Sequence, residues 1–202
     1  MQEKEYVDLY DLNHQATGRV MERGDEVPRD CCTMVVSFWV RNKAGRLLLE
    51  QRSPEKRWFP GWWECGGGCV RAGETGFDAV QREVREELGF TAPDSRWRLL
   101  GELENVEVLE GRYFHHWNLA YLVETEGEPV LQREEVSAVR WFTMEELDAF
   151  LAEDAPVTKY TRRLYQAYRG QLWQPMVTGQ KRPKQGRQEV VITSTPLAPL
   201  KG

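Results

Sequence analysis

The chain predicts an α/β fold in which a mixed β-sheet is sandwiched between helices. Strand-like runs dominate, rich in β-branched and aromatic residues, as in Thr33 to Val40 (TMVVSFWV) and Val136 to Phe142 (VSAVRWF). One helical run interrupts them in the middle of the chain, after the cluster Gly66-Gly67-Gly68, and stops at Gly89. Two more helical patterns close the chain, opening at Thr143 and Thr158. With 202 residues, 41% of them apolar and 29% charged, one domain with a good-sized core is expected.

Taken in order, Glu5 to Tyr10 alternates weakly and ends in a turn signal, Asp11-Leu12-Asn13, before Thr17 to Met21. These read as two short strands joined by a turn. A loop with Pro28 follows. Thr33–Val40 and Arg46–Gln51 flank Asn42-Lys43-Ala44-Gly45 and predict a hairpin. Residues 53–61 form a loop carrying Lys56, Arg57, Trp58 and Phe59, and Trp62 to Cys65 is a short strand leading into the glycines. Lys56 and Arg57 are candidate phosphate contacts, and Trp58 and Trp62 candidate stacking surfaces for a substrate; core packing and plain solvation are the competing readings.

In the central helix Thr75 and Asp78 approximate a capping box. At about 100° per residue, Phe77, Val80, Val84 and Leu88 make one apolar stripe, and Glu83, Glu86 and Glu87 gather beside it within about 100°. After the helix, Ser95–Val108 predicts a bent strand with Tyr113–Glu124 as its partner. His115 and His116 fall on opposite faces of that partner, so at most one serves a given site. Val136–Phe142 is a further strand, preceded by Glu134 and Glu135, and Thr158–Tyr168 is the last amphipathic helix.

The net charge of −5 hides an asymmetry: residues 171–202 hold five basic residues and one acid, leaving 22 basic and 31 acidic residues on 1–170. Residues 1–170 are therefore read as the folded domain and 171–202 as a basic tail, mobile or docking. An acidic body does not suit a nucleic-acid polymer. No apolar run reaches the length of a membrane span and the polar N-terminus is not a signal peptide, so a cytoplasmic protein, monomer or homodimer, is expected. Cys31, Cys32, Cys65 and Cys69 do not make a disulfide framework, and adjacent cysteines chelate a tetrahedral metal poorly; reduced thiols are expected.

Three carboxylates on adjacent helical turns repel one another, and a hard divalent cation relieves that repulsion; oxygen-only ligands favour Mg²⁺ or Mn²⁺. The wider spacing sharpens this. From Gly68 the chain runs five residues to Glu74, seven more to Arg82, then Arg82-Glu83-Val84-Arg85-Glu86-Glu87-Leu88-Gly89-Phe90. This stretch resembles the signature of the Nudix hydrolases at every fixed position. The resemblance implies an α/β/α sandwich with the signature as loop–helix–loop, and hydrolysis of a phosphoanhydride bond in a nucleoside diphosphate joined to another group. It implies Glu83, Glu86 and Glu87 as metal ligands, a carbonyl of Gly67 or Gly68 as another, and Glu74 with Arg82 as a supporting pair. Glu135 stands where many such proteins place a further carboxylate. The general base is left open among Glu86, Glu87 and Glu135.

Two other readings compete. The segment DLYDLNHQATGRV, the strand LLLEQRS and the approach Trp-Phe-Pro-Gly-Trp-Trp also resemble isopentenyl-diphosphate isomerases of the same superfamily. However, the isomerase cysteine aligns on Gly67, with Cys65 and Cys69 displaced on either side, and no histidine lies near Cys32-Thr33. A module that binds a nucleotide metabolite without cleaving it is the third reading, and the intact signature speaks against it.

Overall fold

The computed structural model describes residues 4–176, and the fold is organised around one long strand. The elements in chain order are β1 (Tyr6–Asp11), β2 (Ala16–Glu22), β3 (Cys31–Arg41), β4 (Leu47–Arg52), β5 (Trp63–Glu64), β6 (Gly66–Cys69), α1 (Gly76–Leu88), β7 (Trp97–Leu109), β8 (Arg112–Glu124), β9 (Val136–Phe142), α2 (Met144–Ala152) and α3 (Lys159–Leu172). Along one edge β3 pairs in parallel with β8, from Thr33 opposite His116 to Arg41 opposite Glu124. Its other edge is shared end to end by antiparallel β1, β6 and β4. Strand β4 also pairs with β5 and β9, β7 with β8, and β1 with β2.

A strand paired on both edges and covered on both faces must be apolar throughout, which is why β3 reads as a continuous hydrophobic run. Its residues alternate between two cores. Met34, Val36, Phe38 and Val40, with Leu119, Tyr121 and Val123 of β8, face the stripe Phe77, Val80, Val84 and Leu88 of α1. Trp39, with Ala120 and Leu122 of β8 and Leu47 and Leu49 of β4, faces Leu147 of α2 and Leu164, Tyr165, Tyr168 and Leu172 of α3. The result is the expected α/β/α sandwich. All four stripe residues of α1 are at most 3% exposed, and burial of such side chains stabilises by about 1.5–3 kcal/mol each.

Local signals set the ends of α1. The Thr75 side chain accepts from the Asp78 amide, and its hydroxyl donates to the Asp78 carboxylate at 2.5 Å. Gly89 adopts φ +69° and returns its N–H to the Arg85 carbonyl. The loop before β9 then caps the last turn: the Val130 amide donates to the Leu88 carbonyl and the Gln132 amide to that of Glu87. Thr143 and Glu146 make a full capping box on α2, and Thr158 caps α3.

Some boundaries differ from the sequence-based expectation. The glycine cluster is strand β6, pressed flat on β3: a Cβ on Gly66 would lie 1.9 Å from the Phe38 ring, and one on Gly67 2.5 Å from the Val36 carbonyl oxygen. Residues 94–96 form a 3-10 turn, so β7 starts at Trp97. Helix α3 continues past Tyr168 to Leu172, because Leu172 is fully buried and its carbonyl, like that of Gln174, accepts from Arg41 at 2.7 Å. The domain boundary expected at residue 170 falls inside this helix. The rest of the basic tail, from residue 177, lies outside the described residues.

Candidate active site

Where α1 meets β6, Glu83 reaches back against the glycine strand. A Cβ on Gly68 would lie 2.0 Å from Glu83 Oε1, so only glycine leaves room for the carboxylate there. Gly67 is closed on the other side of the strand, where a Cβ would meet the Val36 carbonyl oxygen at 2.5 Å and the Ser37 backbone at 3.3 Å. Arg82 organises the group. Its Nε and Nη2 donate to the two oxygens of Glu74, both at 2.9 Å, and Nη2 also donates to the Cys69 carbonyl at 3.0 Å. Its Nη1 donates to Glu83 at 2.7 Å and to Glu86 at 3.3 Å. One guanidinium thus fastens the loop carrying Glu74 to the helix and fixes the direction of Glu83.

The structure brings together more acid than the helix supplies. Glu50 on β4 and Glu64 on β5 stand opposite each other in register. Burial, followed by the charge of Glu64, pushes Glu50 well above the usual carboxylate range. Burial, then the charges of Glu50, Glu83 and Glu64, does the same to Glu87. Glu83 and Glu64 are raised chiefly by burial, against the pull of Arg82 and Arg52 respectively. Glu74 goes the other way: burial works to raise it, but the Arg82 hydrogen bonds and the Arg71 amide outweigh that and lower it. Arg52 forms an ion pair with Glu64 and donates to the Trp58 carbonyl at 2.9 Å. Lys56 forms an ion pair with Glu135, and its charge also bears on Glu50, Glu64 and Glu87. At the rim Arg23 and Arg71 share Glu5, at 2.5 Å and 2.8 Å, and Arg71 lies 3.9 Å from Glu86.

Glu74, Arg82, Glu83, Glu86, Glu87, Gly68, Lys56 and Glu135 therefore gather in one region. The remaining candidates for substrate contact, Arg57, Trp58 and Trp62, lie on the loop between β4 and β5. Arg57 is exposed, pairs with Glu110 at 2.6 Å and covers the Trp58 ring at 4.7 Å. Trp58 packs edge-on against Phe114, and the exposed Trp62 packs against Phe59. The histidines are engaged elsewhere: His116 bonds Thr33 at 2.9 Å, with burial and then His115 depressing it to about 4, and His115 faces Glu104. Sequence reasoning missed Glu50, Glu64, Arg52, Arg23 and Arg71. A signal for Glu50 was present: in LLLEQR it falls on the same strand face as Leu48, a core position.

Among the described residues no three His, Cys, Asp or Glu side chains already form a metal cage. Arg82 bridges Glu83 and Glu86, and Lys56 engages Glu135. The donor set nevertheless suits a hard cation, being all oxygen, and Glu87 Oε2 and Glu50 Oε2 are buried with no hydrogen-bond partner. A carboxylate oxygen so placed needs a proton or a cation.

An α/β/α sandwich with an arginine-braced acidic helix lodged against a glycine strand is the architecture of a Nudix-type hydrolase. The NUDIX domain family matches residues 33–166, and the chain belongs to the Nudix hydrolase family; it is a Nudix-type pyrophosphohydrolase. It is 32% identical over 143 residues to an uncharacterized Nudix hydrolase of Listeria innocua, covering 70% of this chain and 82% of the relative. It is 30% identical over 149 residues to a Nudix hydrolase of Deinococcus radiodurans, covering 73% and 84%. The crystal structure of DR0079 from Deinococcus radiodurans superposes with a TM-score of 0.67 at 25% identity, over 81% of this chain and 99% of that one. Nudix hydrolases generally use divalent metal ions. Among the described residues no helix is long and apolar enough to cross a membrane.

Proposed function

We propose that the protein hydrolyses a phosphoanhydride bond in a nucleoside-diphosphate-linked metabolite, water attacking phosphorus, with Mg²⁺ or Mn²⁺ held by Glu83, Glu86 and Glu87. A carbonyl of Gly67 or Gly68 and the carboxylate of Glu135 join the proposed ligand set. The observation that carries this reading is the buried, unpartnered oxygen of Glu87 beside Glu83, in a cluster whose members raise one another. When bound, the cation offsets negative charge on the diphosphate and makes water more acidic. The chain's own residues do the rest. Arg82 and Glu74 hold the helix and loop in one geometry, so Glu83 is fixed before substrate arrives. Lys56 brings a positive charge to the phosphates, and Trp58 and Trp62 offer ring faces to the remainder of the molecule; Arg57 serves the loop through Glu110. Glu86 has the most exposed side chain of the three, at 38%, and we assign it to take the attacking water's proton with the oxygen that the cation leaves free.

The test is to incubate the purified protein with a panel of diphosphate metabolites, with Mg²⁺ and with Mn²⁺, and to assay the phosphate products. Activity is expected at roughly millimolar Mg²⁺ or micromolar Mn²⁺, the range of weak carboxylate sites. Full activity after exhaustive chelation would refute the reading.

The cysteines give a second test, directed at the isomerase alternative. Cys65 lies on the face covered by α3, its Sγ 3.6 Å from the Thr161 hydroxyl, and burial pushes its thiol up. Burial likewise raises Cys69. Both thiols are therefore protonated and poorly reactive at neutral pH. Replacing Cys65 and Cys69 together by alanine is expected to leave turnover within about threefold, since no reacting group is removed. Complete loss in a folded double variant would restore the isomerase reading.

A further inference from the structure

We propose that Glu50 is itself a ligand of the divalent cation, reaching the site from the sheet across from α1, with Glu64 facing it on β5. The inference rests on the cation-dependent reading above and adds a carboxylate from β4 to a site whose other carboxylates come from α1 and the loop before β9.

Glu50 is the last residue of the run Leu47-Leu48-Leu49-Glu50 and is only 3% exposed. Nothing in the β4 ladder requires an acid there; an apolar residue would continue the core face begun by Leu48. Yet Glu50 Oε2 is buried without a hydrogen-bond partner, and so is Glu87 Oε2 on the neighbouring helix. The two arise on independent elements whose charges act on one another, and Glu64 acts on both. The nearby cations are occupied: Arg52 pairs with Glu64 and Lys56 with Glu135. Leaving buried carboxylate oxygens unpaired is costly, and two from separate elements compound the cost. A hard cation with all-oxygen ligands satisfies both at once. The competing role for Glu50 is a protonated, purely structural carboxylic acid.

Glu50→Gln separates these roles, because glutamine matches the protonated acid in size and polarity but is a far poorer cation ligand. Mn²⁺ binding to the full chain, measured by electron paramagnetic resonance of the free ion, is expected to weaken at least about tenfold. The unfolding temperature of the metal-free variant should equal or exceed that of wild type. Mn²⁺ affinity within twofold of wild type in the folded variant overturns the proposal while leaving cation-dependent hydrolysis intact. If the wild type binds no Mn²⁺, the functional reading falls and this proposal with it. Should Glu50→Gln fail to fold, anomalous scattering from Mn²⁺ in wild-type crystals decides the matter. The ion within about 2.0–2.6 Å of a Glu50 oxygen supports the assignment, and an ion bound without Glu50 overturns it.

Discussion

Glu83→Gln is expected to lower turnover by about 10³-fold or more, whereas Glu74→Gln should cost only about tenfold. Both residues touch Arg82, so the difference lies in what else each does. Glu83 is 9% exposed, lies against Gly68 and takes one Arg82 nitrogen at 2.7 Å, which leaves its second oxygen for the proposed cation. Glutamine keeps the shape but removes the charge, a loss of several kcal/mol of transition-state stabilisation at the proposed centre. Glu74 accepts two Arg82 nitrogens and the Arg71 amide, all at the loop rather than at the centre. Glutamine there retains one acceptor for Arg82, which is still held by Glu83, Glu86 and the Cys69 carbonyl. Turnover and Mn²⁺ affinity of both folded variants provide the check. Equal and small losses would mean that the acidic helix is structural and the chemistry lies elsewhere.

Gly68→Ala should separate geometry from charge, since it removes no functional group. The new methyl would stand 2.0 Å from Glu83 Oε1 and 2.2 Å from its carboxyl carbon, so the end of that side chain must move. Its backbone conformation is one that alanine accepts, and the obstructing atoms belong to a flexible side chain. The variant is therefore expected to fold, at a stability cost of up to about 3 kcal/mol for disturbing the buried Arg82–Glu83 pair. Displacing Glu83 by an ångström breaks its register with Arg82 and is expected to reduce turnover about 10²-fold. A thermal melt alongside steady-state kinetics tests this. Turnover within about threefold of wild type would show that the position of Glu83 does not limit the reaction.

What could be read from the sequence was whatever depends on neighbours along the chain. The span of α1 follows from Thr75, the stripe at 77, 80, 84 and 88, and Gly89, because caps and 3.6-residue periodicity are local properties. The same periodicity placed Glu83, Glu86 and Glu87 beside the stripe, and the signature spacing paired Glu74 with Arg82. Strands β1 to β4 and the β7–β8 hairpin were likewise legible from alternation and turn residues.

Tertiary structure decided the rest, because strand partners are set by packing and not by adjacency. Three consecutive glycines carry no alternating side-chain pattern, yet β6 forms because β3 offers a free edge between β1 and β4 that only a flat backbone fits. Arg57, one residue from Lys56, pairs with Glu110 at the β7–β8 turn, a contact that no local pattern foretells. Glu50 and Glu64 face each other only because β4 and β5 pair antiparallel, and they meet the α1 carboxylates only because α1 packs on that side of the sheet. The sequence by itself determined the acidic helix edge and its arginine brace. The depth of the site, and the sheet-side acids that line it, came from long-range pairing that buries charge no local rule would have placed inside.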